Sequence, residues 1–187
     1  MKLFLASLGF AALATLPAQG APPVHQMIYM VDAAQKCSLA AENQGDLKQG
    51  REACNTALAD PVMLHRAALM MDRGIVAVRL GDNRAALADY NGAIALDPKL
   101  GETYVSRAGL LVAMKRYDEA GADINRAMAL GASNMHAAWY ALGVIAEEKG
   151  DIQGAYRDYK QALALKPDYD AAARELARFR TVSGPPF

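Results

Sequence analysis

The chain has 187 residues, with 20 Lys plus Arg against 20 Asp plus Glu, so its formal net charge is zero. That balance lacks the basic surplus of a general nucleic-acid binder, or of a protein held to membranes by a polybasic surface. Apolar residues make up 53% and aromatic ones only 7%, with alanine prominent, a composition that favours closely packed helices.

The first element reads as a signal peptide, residues 1–20. Lys2 precedes an uncharged apolar run from Leu3 to Leu16, and Ala18-Gln19-Gly20 sets small residues where a signal peptidase reads. Cleavage is expected after Gly20, because a cut after Ala21 would leave Pro22 beside the scissile bond. The run is too short for a comfortable membrane span, which favours cleavage over an uncleaved anchor. No cysteine lies near the cut to carry a lipid, and no later stretch is apolar enough to cross a bilayer. The expected location is therefore the periplasm, or else the secreted space. Loss of Lys2 leaves 19 basic against 20 acidic residues, a net charge of minus one.

The remainder shows an internal period. Gly81-Asp82, an Ala-rich stretch and Leu96-Asp97-Pro98 return as Gly150-Asp151 and Leu165-Lys166-Pro167. A more worn copy runs from Lys115-Arg116-Tyr117 to Leu130-Gly131-Ala132, and Gly45-Asp46 opens another upstream. Successive starts at Gly45, Gly81, Lys115 and Gly150 are 36, 34 and 35 residues apart. Each copy predicts two antiparallel helices: a turn residue ends the first, an Asp caps the second, and Pro or Gly ends the unit. Asp60-Pro61 precedes a long helix expected to reach about Leu80. The predicted units are an N-terminal segment with a divergent first repeat (21–66), repeats at 67–100, 101–135 and 136–169, and a cap helix with tail (170–187). In the cap, Asp170 to Arg180 sets Leu176 and Phe179 on one side, and Thr181 to Phe187 reads as a frayed tail.

Within that register, Arg73 and Arg107 share one position on first helices, while Asp89, Asp123 and Asp158 share one on second helices. Structural ion pairs are expected, in preference to a catalytic pair, because a catalytic pair is not ordinarily duplicated along a stack. Cys37 and Cys54, the only cysteines, fall on the two helices of the weakest copy at facing heights. In an oxidising compartment such a pair is expected to form a disulfide. Two buried thiols are the alternative; a redox pair would ordinarily show a Cys-x-x-Cys spacing, which is absent.

Trp139-x-x-Leu142-Gly143, Ala155-x-x-x-Tyr159 and Pro167 together resemble the tetratricopeptide repeat (TPR) family, with Ala146 where Tyr is usual. The second copy keeps Gly74, Ala86, Tyr90, Ala93 and Pro98; the third keeps Tyr104, Ala108, Ala120, Ile124 and Ala127. The resemblance covers residues 31–169 and implies an all-α, right-handed α-solenoid of helix-turn-helix repeats closed by a C-terminal cap helix. It further implies a concave groove, lined by first helices, for a peptide or a partner's helix. The small residues Gly74, Ala108 and Gly143 are expected to admit the second helix, with Ala86, Ala120 and Ala155 opposite, and Tyr90, Ile124 and Tyr159 toward the next repeat.

Carried onto this chain, the groove gives a partner-binding strip of Met71, Ile75, Val78, Val105, Val112, Tyr140 and Val144, with acidic residues at its edges. The Lys, Asn and Arg positions that clamp a C-terminal carboxylate in some relatives hold Met71, Ile75, Ser106, Ala137 and Ala141, or Gln35, Leu39, Asp72, Glu102 and Ser106. The expected partner is therefore another protein or peptide presenting an apolar segment with basic flanks, in the helix-in-groove mode. No nucleic acid, membrane span or cofactor is expected, and the self-associating structural protein is the second reading, with a homo-oligomer as its form.

No motif for chemistry is present: no His-Glu-x-x-His, Gly-x-Ser-x-Gly or phosphate-cradling glycine loop occurs. His25, Met27 and Met30 offer donors that suit monovalent copper, but the methionines read better as the apolar face of the opening helix. The expected protein is a non-enzymatic scaffold without a catalytic or metal site.

Overall fold

The computed structural model describes residues 24–60 and 63–182. The expected signal peptide and the tail from residue 183 lie outside the described residues, where nine helices and no strand occur. They pair as hairpins: α1 (Val24–Ala41) with α2 (Leu47–Ala59), α3 (Arg66–Arg79) with α4 (Asn83–Leu96), α5 (Gly101–Ala113) with α6 (Tyr117–Leu130), and α7 (Met135–Glu148) with α8 (Ile152–Leu165). α9 (Asp170–Val182) packs on α8 and runs two residues beyond the expected Arg180. None of these helices is long and apolar enough to cross a membrane.

Each hairpin turns on a residue with positive φ. Gly81 (φ 80°) and Gly150 (φ 79°) serve in the second and fourth hairpins, Lys115 (φ 59°) in the third and Asn43 (φ 70°) in the first. The next backbone N–H closes each turn onto the first helix: Gln44 onto Leu39, Asp82 onto Ala77, Arg116 onto Leu111 and Asp151 onto Ala146, at 2.8–2.9 Å. Asn43, rather than Gly45, is thus the structural counterpart of Gly81. Asp46, Asp82 and Asp151 then cap the second helices, each carboxylate accepting a backbone N–H three residues on, at 2.8–3.1 Å. At the matching place α6 has Arg116, which has no capping oxygen and instead pairs with Glu119 at 2.6 Å.

Connections set where the stack is tight. Four residues join α4 to α5, α6 to α7 and α8 to α9, but six (residues 60–65) join α2 to α3. α3 consequently begins at Arg66, after His65 in the left-handed conformation, whose φ is 59°. Arg66 Nη1 donates to the carbonyls of Leu58 (2.9 Å) and Asp60 (2.7 Å), fastening this longer connection to the end of α2.

The core is a row of small clusters in place of one large one. Ala33, Cys37, Cys54, Ala57, Leu58 and Leu69 form the first, and Ala77, Ala86, Tyr90 and Leu110 the next. Val105, Ala108, Leu111, Ile124 and Ile145 lie in the central cluster, and Tyr159, Ala172 and Leu176 close the C-terminal end. The short side chains let neighbouring helices approach. A Cβ placed on Gly74 would stand 2.6 Å from the Tyr90 ring, and one on Gly143 would stand 2.5 Å from the Tyr159 ring. Each tyrosine therefore lies across the first helix of its own hairpin and also reaches the next unit, as expected: Tyr90 shares a cluster with Leu110 on α5, and Tyr159 meets Phe179 on α9. In the third hairpin Ala108 and Ile124 hold the same two positions, both fully buried in the central cluster.

Candidate binding surface on the first-helix face

α1 and α2 are joined covalently: Cys37 and Cys54 form a disulfide, and neither side chain is exposed. The second and third hairpins carry a recurring ion-pair rung. Arg73 donates twice to Asp89 (2.9 and 2.6 Å) and once to Asn55 on α2 (2.9 Å). Arg107 repeats this with Asp123 (2.7 and 2.7 Å) and Asn91 on α4 (2.7 Å). The forked geometry uses the guanidinium's fixed donors and links each hairpin to the one before it. Where the fourth hairpin would repeat the rung, Leu142 replaces the Arg and packs into the central cluster. Burial there pushes the Asp158 carboxyl up from its ordinary value. These pairs tie the hairpins together, and a small hollow of about 300 Å³ lies beside Arg107–Asp123 and one of about 290 Å³ beside Arg73–Asp89.

The strip expected from the register is largely consumed by helix packing. Val105 is only 3% exposed and belongs to the core, which removes it from any open groove. Val112 packs on the same central cluster. Met71 and Ile75 lean on Ala77, Ala86, Tyr90 and Leu110. Val144 packs on the C-terminal cluster, and Tyr140 stacks on Tyr159 and Tyr169 with ring centroids 5.6 Å apart in both pairs. Val78 alone of the seven is well exposed, at 37%. The reason is physical: α5 lies against both α3 and α7, so groove positions become contact positions.

Open apolar surface lies instead at the N-terminal end. Between α1, α3 and residues Asp60, Met63, Leu64 and His65 there is a hollow of about 740 Å³. Met30, Val31 and Ala34 supply one wall, Ala68 and Leu69 the other, and Met63 and Leu64 the rim. Val31 and Leu64 are 66% and 76% exposed, and Ile28 and Tyr29 continue the patch along α1. Gln35, Ser38, Asp60, His65 and Asp72 make part of the lining polar, and the Ser38 hydroxyl donates to Asp72 Oδ2 at 2.6 Å. Burial pushes the Asp72 carboxyl up; the Ser38 hydrogen bond pulls it back and Glu42 raises it further. The sequence reading placed Met30 only on an apolar helix face and missed this hollow. The i, i+4 spacing of Met30 and Ala34, facing a lengthened inter-repeat connection, was the available signal.

Elsewhere on the first-helix face, polar contacts join helices. Glu102 accepts from the Ser133 backbone N–H (2.9 Å) and hydroxyl (2.7 Å), which holds its carboxyl below the usual range. Glu147 accepts from Tyr159 (3.0 Å) and pairs with Arg178 on α9. Among the described residues, no group of three or more His, Cys, Asp or Glu side chains converges as metal ligands.

No curated protein matches the chain in sequence. Among solved structures, the chain resembles pilF of Pseudomonas aeruginosa, with a TM-score of 0.68 and 19% identity over 84% of this chain and 70% of that one. It resembles MamA of Desulfovibrio magneticus RS-1 with a TM-score of 0.63 and 16% identity, covering 86% of each chain. PilW, described as a widely conserved type IV pilus biogenesis factor, gives 0.61 and 18% over 81% of this chain and 67% of that one. At such identities the likeness concerns the fold. Sequence models of the tetratricopeptide repeat match residues 38–101, 71–134 and 136–169, well over half of the chain, which therefore belongs to the tetratricopeptide repeat family.

Proposed function

We propose that this chain is a non-enzymatic scaffold of the periplasm or secreted space, which holds a partner polypeptide on its first-helix face. The observation that carries the reading is the open apolar hollow beside α1 and α3, where Val31 and Leu64 stay 66% and 76% exposed. A patch that stays exposed beside a polar rim marks an interaction surface in a stable repeat fold. The disulfide agrees with an oxidising compartment. TPR proteins such as PilW, a pilus biogenesis factor, offer the analogy of envelope assembly, though the site and not the fold decides function.

Crosslinking in the native host, followed by identification of adducts, tests the proposal. One recurrent polypeptide partner is expected, with its yield lowered by Val31→Ser and Leu64→Ser. Equal yield with both variants moves binding to another face. Recovery of only the protein's own dimer favours the self-associating alternative. Fractionation tests export: a chain beginning at Ala21 outside the cytoplasm supports it, and an uncleaved cytoplasmic chain contradicts it.

A further inference from the structure

We infer that the hollow between α1 and α3 takes an apolar peptide segment carrying one Lys or Arg, whose cation reaches the Asp72 carboxylate. This rests on the protein-binding reading above and specifies its partner. The walls are Met30, Val31, Ala34, Ala68 and Leu69, so the bulk of the occupant is apolar. Gln35, Ser38, Asp60, His65 and Asp72 are the polar residues of the lining, and Asp72 is the one whose carboxylate is held on the inner wall by Ser38. Its carboxylate has one hydrogen-bond donor, Ser38, and a carboxylate pair of oxygens accepts several more. No Lys or Arg is among the described residues that line the hollow; His65 is its one cationisable side chain, and the Asp72 carboxylate takes its hydrogen bond from Ser38.

Burying an anion with little compensation costs stability. Burial does raise the Asp72 carboxyl, with the sign that follows: the ionised form is disfavoured by the fold at neutral pH, and the penalty is relieved as pH falls through the raised value. A partner's cation would offset that penalty on binding. The length also fits a peptide. From Met30 to Ser38 the α1 wall spans about 12 Å, room for some two helical turns of a ligand.

A second copy is a poorer occupant. An isologous contact brings a patch against itself. The hollow presents the Asp72 carboxylate and no described Lys or Arg, so a two-fold contact brings that acid toward its own copy.

Calorimetric titration of the intact disulfide-bonded chain tests this. The probe is a capped, Leu- and Ala-rich peptide of about three helical turns with one central Arg, alongside its Gln and Glu analogues. The Arg peptide is expected to bind, the Gln analogue about tenfold more weakly, and the Glu analogue not measurably. Asp72→Asn should abolish the preference for Arg over Gln while leaving the melting temperature at neutral pH unchanged or higher. Val31→Ser and Leu64→Ser, at exposed positions, should weaken all peptides together without changing the melting temperature. Equal binding of the Arg and Glu peptides overturns the inference, as does an Arg preference that survives Asp72→Asn. Sedimentation showing the hollow closed by a second copy also overturns it. If no probe binds while native partner capture persists, this inference falls and the scaffold reading stands; loss of native capture would overturn the latter.

Discussion

The first hairpin and the last solve the same problem with different chemistry. At the C-terminal end, large rings fill the space between helices: Tyr140 meets Tyr159 and Tyr169, and Phe179 on α9 lies 6.0 Å from Tyr159. At the N-terminal end the buried hydrophobic residues are Ala33, Ala40, Ala57, Leu58, Leu69 and two cysteines, with no aromatic ring among them. There a covalent bond replaces side-chain bulk, and the space left beside α3 remains open. The contrast shows why the repeat signature is weakest where the molecule is most accessible. Consensus aromatics fill the inter-helix space, so a repeat without them can keep a hollow, provided something else holds its helices together.

Breaking the two ends should therefore give different outcomes. The largest effect is expected from the disulfide. Cys37→Ala with Cys54→Ala should lower stability by about 3 kcal/mol, since the bond closes a 17-residue separation. Amide exchange should locate the loss in α1 and α2, with α7 to α9 still protected. Uniform loss across the chain would show that the first hairpin is not an independent weak point.

At the other end, Gly143→Ala should cost about 2 kcal/mol by overpacking, because Tyr159 is pinned by its hydrogen bond to Glu147. Adding Tyr159→Ile should recover part of that loss, since the third hairpin pairs Ala108 with Ile124. Strictly additive losses in chemical denaturation would contradict that crossing.

The rungs between the two ends come next. Arg107→Leu should cost somewhat less, about 1.5 kcal/mol, by leaving the buried Asp123 without its partner. Asp123→Asn in the same chain should return part of it, which a double-mutant cycle would reveal. The smallest effect is a gain. Lys115→Gly should stabilise by about 0.5 kcal/mol, because Lys115 holds a left-handed conformation that glycine adopts freely. A thermal shift of the opposite sign would mean that the lysine side chain contributes more than its backbone costs.

The repeating architecture was legible because period, turn residues and small residues agree along the chain. The pairings Arg73–Asp89 and Arg107–Asp123 and the Cys37–Cys54 bond followed from the same register. The binding surface did not. Register identifies Val105 as a groove residue, but the distance between neighbouring first helices decides whether such a residue is open or buried. That distance depends on side-chain volumes and loop lengths acting together. Val105 is closed over where α5 meets its neighbours, whereas α1 and α3, though packed together, leave a hollow at Met30 and Val31 beside the six-residue connection. The Ser38–Asp72 hydrogen bond joins residues 34 apart on different repeats, and no local pattern announces it. The register sets Gly45 beside Gly81, whereas the first turn is made by Asn43, another residue type tolerated at positive φ.

The most direct measurement is site-specific photo-crosslinking in the native compartment, with the reactive group at Val31 on the hollow or at Arg157 on the exposed surface of α8. Adducts with one polypeptide are expected from position 31 and not from position 157, and they should diminish when Cys37 and Cys54 are both replaced by Ala. Adducts from position 157 alone, or none from 31 in a folded and exported protein, would contradict binding at the N-terminal hollow.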